Sequence, residues 1–393
     1  MERARYIGLL ERGLDVHPVV ALLGPRQCGK TTLARMYAEP KGQNRTNGVA
    51  TTITRFDLED PTDLAALENP KLVLQDLSGL VIIDEIQRLP GLFPVLRVLV
   101  DRPNNAARFL ILGNASRDLI QQSSETLAGR IAYIELTPFS LSEIQTTQSA
   151  RLWLRGGFPP SFLARSDAAS WQWRKQYVMT FLERDIPSLG IRIPPQSLRR
   201  FWMMLSHYHG QIVNFSELGR SFGASDTTIR RYLDLLNATF MVRSLTPWHE
   251  NISKRQVKAP KLYFRDSGLL HSLLGIENRD QLNRHPKLSA SWEGFALEEV
   301  IRHFDATPEA CYFWATHSGA KLDLLIVQGD QKVGLEFKYT DRPRSTKSMH
   351  VAMESLQLDS LVVVCPTERS FPLARGIEAI GLRDLDKLRK PSG

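Results

Sequence analysis

Val19-Val-Ala-Leu-Leu-Gly-Pro-Arg-Gln-Cys-Gly-Lys-Thr31 is the stretch that decides how the N-terminal part of this chain folds. Five consecutive apolar residues, Val19 to Leu23, predict a strand buried on both faces, the kind that fills a parallel sheet. Gly24 to Thr31 then match the spacing G-x-x-x-x-G-K-[S/T], and Thr32-Leu-Ala-Arg-Met-Tyr37 continues as a helix. Glycines let the backbone curl closely, and successive N–H groups with the helix N-terminus create positive potential suited to a phosphate. Gly24, Pro25, Arg26, Gln27, Cys28, Gly29, Lys30, Thr31 and Thr32 are therefore expected to hold ATP with Mg²⁺. Lys30 would reach the β- and γ-phosphates, and the Thr31 hydroxyl would ligate the metal.

Working outward, further short apolar strands are expected at 53–58, 80–84, 109–112 and 131–136, alternating with helical stretches. Leu80-Val-Ile-Ile-Asp84-Glu85 is a buried strand ending in two acids. Asp84 at that end would hold Mg²⁺, and Glu85 would orient or deprotonate the attacking water. The full strand at 53–58 suggests the additional-strand branch of P-loop ATPases. In that branch the strand after the acidic one ends in a polar residue near the γ-phosphate, a role that falls here to Asn114, with Ser116 following. Arg130 is a candidate γ-phosphate sensor or arginine finger, or else a structural ion-pair partner.

At 393 residues the chain is long enough for two or three domains, expected at 1–150, 151–250 and 251–393. No apolar run approaches the roughly 20 residues needed to span a bilayer, so no membrane partner is expected. The N-terminus lacks the apolar core of a signal peptide and reads as an amphipathic helix carrying Ile7, Leu9, Leu10 and Leu14. The three cysteines, Cys28, Cys311 and Cys365, are widely separated without metal-ligand spacing, which fits a reducing, cytoplasmic setting. A net charge of +8 is compatible with DNA but does not require it.

The middle region reads as mainly helical. Helices at 215–221 and 225–236 flank a Phe222-Gly223-Ala224 turn, with Ser225 as N-cap. Ile229, Leu233 and Leu236 form a core stripe, leaving Thr227, Arg230 and Arg231 facing outward, where a helix-turn-helix contacts DNA. Asp226 and Asp234 offset that positive charge, so a packing module is the competing reading. His207 and His209 lack carboxylate or cysteine partners at ligand spacing and read as helix-end or interface residues. Met203 and Met204 read as core.

In the C-terminal region, segments 321–328 and 331–338 can form a hairpin around a Gly329-Asp330 turn. That register sets Asp323 opposite Glu336, with Cβ atoms about 4.5–5.5 Å apart. Lys338 shares that face, while Leu324, Ile326, Val333, Leu335 and Phe337 share the other. Two adjacent carboxylates repel, and a second divalent cation would resolve the repulsion. The arrangement resembles the Asp…Glu-x-Lys site of the restriction-endonuclease-like fold. That resemblance implies a further glutamate from a preceding helix, Glu293 first and Glu298 second. Lys321 stands where the fold usually has an acid, and would neutralise Asp323. The competing reading is an ordinary hairpin with a surface ion pair.

Gly24 to Thr32, Ile83-Asp-Glu-Ile-Gln-Arg-Leu-Pro90, Leu127-Ala-Gly-Arg130, Arg155-Gly-Gly-Phe-Pro159, Phe181-Leu-Glu-Arg-Asp-Ile186 and Lys261-Leu-Tyr-Phe-Arg-Asp-Ser-Gly268 run through nearly the whole chain. Together they resemble bacterial and archaeal AAA-type ATP-binding proteins whose C-terminal half is a domain of unknown function. The resemblance implies an α/β protein: an AAA-like P-loop ATPase sheet, a helical winged-helix-like domain and a restriction-endonuclease-like α/β domain. Where that family reads Thr-Gly-Ser after the fourth strand, this chain reads Leu112-Gly113-Asn114. Two functions compete. One is an ATPase whose nucleotide state controls a nucleic-acid-processing C-terminal domain. The other is a nucleotide-gated protein-binding or signalling module with an inactive nuclease-like domain. A DNA-binding regulator is a third, and AAA-like ATPases commonly form homo-oligomeric rings.

Overall fold

Apolar runs in the first third of the chain become one parallel sheet, because strands buried on both faces pair only where helices cover both sides. The computed structural model describes residues 2–39, 52–103, 105–114, 123, 125–188, 193–249, 258–316 and 319–388. Residues 43–50, expected as a loop, and Ser116 lie outside these. Helix α1 (Ala4–Val16) leads into β1 (Val19–Leu23), the phosphate-loop turn and α2 (Lys30–Ala38). Then come β2 (Ile53–Asp57), β3 (Gly79–Asp84), α3 (Leu92–Val100), β4 (Ala107–Gly113) and β5 (Ile131–Glu135). The order is β2-β3-β4-β1-β5, every pair parallel. β4 lies between β1 and β3, so the extra central strand is β4, while β2 takes the edge. One face packs Val19, Ala21 and Leu23 with Phe93 and Leu96 of α3; the other packs Val20 and Leu22 with Tyr6, Leu10 and Leu14 of α1. Each fully buried Val or Leu contributes about 1.5–3 kcal/mol. Ile7 and Leu9 reach that second core only in part, and Tyr6 takes the central place.

The chain divides into two compact units, Met1–Pro138 with Ala238–Phe240, and Phe139–Asn237 with Met241–Gly393. The second unit opens with α4 (Ser149–Arg155), α5 (Asp167–Thr180) and α6 (Pro195–His207). β6 (Gln211–Ile212), α7 (Phe215–Phe222), α8 (Asp226–Ala238), β7 (Val242–Pro247) and β8 (Lys261–Phe264) follow. α9 (Ser267–Leu273), α10 (Leu288–His303), β9 (Cys311–Ala315), β10 (Lys321–Gln328) and β11 (Gln331–Phe337) come next. The last elements are α11 (Lys347–Leu356), β12 (Ser360–Cys365), β13 (Phe371–Ala374) and β14 (Ile377–Gly381). A nine-stranded sheet runs β13-β14-β12-β11-β10-β9-β7-β8-β6. Segments 151–250 and 251–393 therefore form one compact unit, because β7 pairs in parallel with β9 through Thr246 and Pro247. β8 is held on both sides, antiparallel to β6 and β7.

Two family-like motifs serve this packing. Gly156 and Gly157 meet the start of α9, where Asp266 accepts from the Gly157 N–H (2.7 Å) and the Leu269 N–H (2.9 Å). A Cβ on Gly157 would stand 2.2 Å from the Phe139 carbonyl oxygen, so only glycine fits.

Candidate functional site

Strand ends in a parallel sheet gather at one edge, and β1, β3 and β4 deliver the nucleotide-site residues together. Lys30 Nζ donates to the Gly24 and Pro25 carbonyls, both at 3.0 Å, and to Asn114 Oδ1 at 2.9 Å. The Thr31 hydroxyl donates to Asp84 Oδ2 at 2.7 Å, placing two hard oxygen ligands side by side, which fits Mg²⁺. Asp84 Oδ1 accepts from the Glu85 N–H (2.9 Å), and Asn114 Nδ2 donates to Glu85 Oε2 (3.3 Å). Gln87 donates to the same Glu85 oxygen. Burial raises the Glu85 carboxyl above its ordinary value; Lys30 opposes the rise and Asp84 adds to it. Glu85 also sits in the left-handed region at φ 55°, a conformation that typically costs about 1–3 kcal/mol and recurs at functional turns. Gly24 has no room for a side chain, since a Cβ would lie 2.3 Å from the Leu136 carbonyl oxygen. Arg26 pairs with Glu59 at 2.5 Å, and Gln27 and Gly29 take left-handed turns at φ 60° and 100°.

Arg3 is a partner that the motif did not reveal. Buried ahead of α1, it donates to the Cys28 carbonyl (3.1 Å) and to the Thr137 carbonyl (2.7 Å), bracing the loop from behind. Arg130 goes elsewhere. It precedes β5 at the end of the sheet where β1 begins, its carbonyl accepting from the Val19 N–H, and its guanidinium grips Asp101 at 2.5 and 2.9 Å. The length of β1 separates it from the phosphate loop of its own chain, and its guanidinium makes the ion pair with Asp101 that the alternative reading expects.

In the second unit the hairpin forms in the expected register, Leu324↔Leu335 to Gln328↔Gln331, which continues to Asp323 opposite Glu336. Leu324, Ile326, Val333, Leu335 and Phe337 enter one core. Glu293 of α10 joins Asp323, Glu336 and Lys338, but a further residue stands among them. Lys261 Nζ from β8 lies 2.7 Å from Glu293 Oε1 and 2.9 Å from Asp323 Oδ1. The Tyr263 hydroxyl donates to the same Glu293 oxygen at 2.6 Å, and Phe337 N–H donates to Asp323 Oδ2 at 3.3 Å. Lys338 Nζ lies 2.8 Å from Glu336 Oε2 and 3.9 Å from Asp323 Oδ2. Burial lifts Glu336 to about 7, Asp323 adding to the rise and Lys338 opposing it. Burial works against ionisation of Asp323 too, yet Lys261 and Lys338 hold it below its ordinary value. Burial, then Asp323, raises Glu293 against the pull of Lys261.

The expected second metal therefore meets an ammonium between two of its ligands. Among the described residues no group of three or more His, Cys, Asp or Glu is arranged to hold a metal. Lys321 is not the neutralising cation. A bulge between Leu322 and Leu325 breaks the alternation, leaving Lys321 exposed with its backbone tied to the Ser348 hydroxyl at 2.7 and 2.8 Å. Glu298 lies outside the cluster, buried against Arg243 (2.5 and 3.1 Å), Arg265 (3.5 Å) and Arg302 (3.9 Å). Burial opposes its charge, but the three guanidiniums bring it down to about 2. The sequence marks Lys261 and Tyr263 only as part of a family-like stretch and not as site residues, although a lysine two residues from a tyrosine on an apolar strand marks a shared polar face.

Thr227, Arg230 and Arg231 are exposed on α8 over the buried stripe Ile229, Leu233 and Leu236, and Ser225 accepts from the Thr228 N–H at 3.2 Å. Arg230 folds back over the Phe215 ring, 3.7 Å from its centroid. His207 is exposed at the end of α6. His209 is buried; its Nδ1 accepts from the Phe264 N–H at 2.9 Å, and burial lowers it to about 3. Met203 is exposed, contrary to its reading as core, because it lies on the outer face of α6.

The AAA domain family matches residues 16–145. Two domains of unknown function match residues 146–280 (DUF8612) and 288–385 (DUF4143). Uncharacterised proteins of Mycobacterium bovis and Mycobacterium tuberculosis are each 49% identical over 380 residues, 97% of this chain and 83% of theirs. Among solved structures, a Walker-type ATPase of Pyrococcus abyssi aligns at TM-score 0.48 and 14% identity, over 70% of this chain and 95% of that one. The DNA clamp loader delta protein of Bacillus subtilis aligns at TM-score 0.28 and 13% identity, over 59% and 88%. Among the described residues, no helix is long and apolar enough to cross a membrane.

Proposed function

Because the chain belongs to the family of AAA-domain proteins that includes the two mycobacterial relatives, we propose that it binds ATP with Mg²⁺, hydrolyses it and uses its nucleotide state to control its second unit. The observation that carries this reading is the continuous run of contacts Thr31–Asp84–Glu85–Asn114–Lys30 along one sheet edge. Backbone N–H groups from Gly24 to Thr31 cradle the phosphates. Lys30 exchanges its carbonyl partners for β- and γ-phosphate oxygens. Thr31 and Asp84 would hold Mg²⁺, which when bound neutralises phosphate charge. Glu85, lifted by burial, takes the proton of the attacking water, and Asn114 holds Glu85 in place while contacting the γ-phosphate. Arg130 is left for a neighbouring subunit of a homo-oligomer, and the setting is cytoplasmic. Nucleotide titration and phosphate release test the reading. Lys30→Ala loses binding, whereas Glu85→Gln keeps binding and stops turnover; full hydrolysis by Glu85→Gln removes Glu85 from its role.

For the second unit, the succession α6-β6-α7-α8-β7-β8, with β8 between β6 and β7, supports a winged-helix-like module. The Asp323, Glu336 and Lys338 hairpin beneath α10 supports a nuclease-like one. DNA contact through Thr227, Arg230 and Arg231 predicts salt-sensitive binding that Arg230→Ala with Arg231→Ala removes. Lys261 between Glu293 and Asp323 favours the second reading, a nucleotide-gated platform for a protein partner. A partner set unchanged by ATP in pull-downs counts against the gating.

A further inference from the structure

The acidic cluster of the second unit has the composition of a divalent-metal site, but an amine of the protein occupies its centre. Lys261 Nζ makes two ammonium–carboxylate contacts, at 2.7 Å to Glu293 and 2.9 Å to Asp323, the short range of charge-assisted bonds. Its backbone cannot withdraw easily, because Lys261 pairs with Ile212 on one side and Leu245 on the other. The amine is shielded as well, with Lys261 only 8% exposed. Two further oxygens are engaged by the protein, Asp323 Oδ2 by the Phe337 N–H and Glu336 Oε2 by Lys338, and Tyr263 donates to the Glu293 oxygen that Lys261 already holds, while the buried Glu336 Oε1 has no hydrogen-bond partner among the described residues. A Mg²⁺ or Mn²⁺ held by these carboxylates needs oxygens at about 2.0–2.2 Å. An ammonium already within hydrogen-bonding distance of the same oxygens would be driven against it.

We propose that Lys261 is a built-in cation that takes the place of a divalent metal, so that the Glu293–Asp323–Glu336 cluster is a metal-independent structural centre. One consequence is a latent metal site. Removing the amine leaves the buried Asp323 and Glu336 and the partly buried Glu293 around a vacated space, with Lys338 still beside Glu336 and Asp323. A divalent ion then becomes the group that neutralises them. The proposal is independent of the ATP reading, which rests on residues of the first unit.

The test is Mn²⁺ binding to the full chain without nucleotide, in an Asp84→Asn background that removes the carboxylate beside the phosphate loop at the end of β3. Equilibrium dialysis and Mn²⁺ paramagnetic resonance report binding, and thermal unfolding reports its coupling to the fold. With Lys261 intact, Mn²⁺ neither binds at the cluster nor raises Tm. Lys261→Met, which keeps an apolar stem without charge, gains one Mn²⁺ site and a Tm that rises with Mn²⁺. Adding Asp323→Asn abolishes both gains. Two results overturn the proposal: Mn²⁺ bound with Lys261 intact and lost on Asp323→Asn, or a folded Lys261→Met chain that gains no site. If Lys261→Met fails to fold, Lys261→Gln is read in the same way, and the measurement with Lys261 intact still decides.

Discussion

Replacing Asn114 with alanine separates the folding role of the nucleotide-site contacts from their catalytic role. Asn114 accepts from Lys30 at 2.9 Å and donates to Glu85 at 3.3 Å. The first is a hydrogen bond to a charge, worth about 1.5–3 kcal/mol, and the second is long and worth about 0.5–1.5 kcal/mol. Lys30 keeps two carbonyl partners at 3.0 Å and Glu85 keeps Gln87, so the loss to the fold should lie at the lower end of that sum, about 2 kcal/mol. In the proposed reaction turnover has no such reserve, because Asn114 would link the γ-phosphate to Glu85 as base. Losing one aligned polar group at a reacting centre costs about 2.7 kcal/mol, or ~10²-fold in kcat. We expect Asn114→Ala to hydrolyse ATP about a hundredfold more slowly while its ATP Kd changes by less than about threefold. Asn114→Ser, retaining a shorter polar group, should recover part of the rate. Phosphate release at saturating ATP and fluorescent-nucleotide titration give the two numbers. Unchanged kcat would refute the assignment, and equal losses in binding and rate would reduce Asn114 to a prop for the loop.

Gly24→Ala should weaken ATP binding by at least about tenfold (~1.4 kcal/mol), since its Cβ would press on the Leu136 carbonyl; calorimetric titration checks it. Glu298→Ala removes the buried carboxylate that Arg243, Arg265 and Arg302 share, although Arg302 keeps Glu299 at 2.6 Å, and should cost about 3–5 kcal/mol in denaturant unfolding, with no direct effect on ATP affinity. Acid should destabilise the second unit in stages. His209 and His271 fall from 6.5 to about 3 on folding, mainly through burial, so their contribution is full above about pH 6.5 and is lost as pH falls toward 3. Each contributes up to about 1.4 kcal/mol per pH unit in that window. Glu298, held at about 2 against an ordinary 4.5, adds a second loss between those values, while Glu336, raised to about 7, works the opposite way between pH 7 and 4.5, so stability measured from pH 7 to 3 should fall most steeply below about pH 4.5. Arg130→Ala should leave ATP binding by the isolated chain unchanged, because its partner is Asp101; an altered Kd at concentrations where the protein is monomeric would contradict this.

The nucleotide site was legible because its information is local. An apolar run followed by glycines and Lys30-Thr31 defines a strand, a turn and a helix start, and strand length then sets Asp84 and Asn114 at the same edge. Periodicity likewise placed Ile229, Leu233 and Leu236 inward, and the Gly329-Asp330 turn set Asp323 against Glu336. Burial face and register follow from spacing along a strand or helix, so residues close in sequence reveal them. What tertiary structure alone decided is which distant cation meets which acid. Lys261 reaches Glu293 and Asp323 across 32 and 62 positions, Arg243 reaches Glu298 across 55, and Arg3 reaches Cys28 through the packing of α1. Nothing in local spacing distinguishes Lys321, two residues from Asp323, from Lys261. A one-residue bulge turns the first to solvent, and strand pairing on both sides of β8 holds the second in the cluster. Charge is long-ranged but its partners are chosen by the fold, which is why the phosphate loop could be read from eight residues and the acidic centre could not.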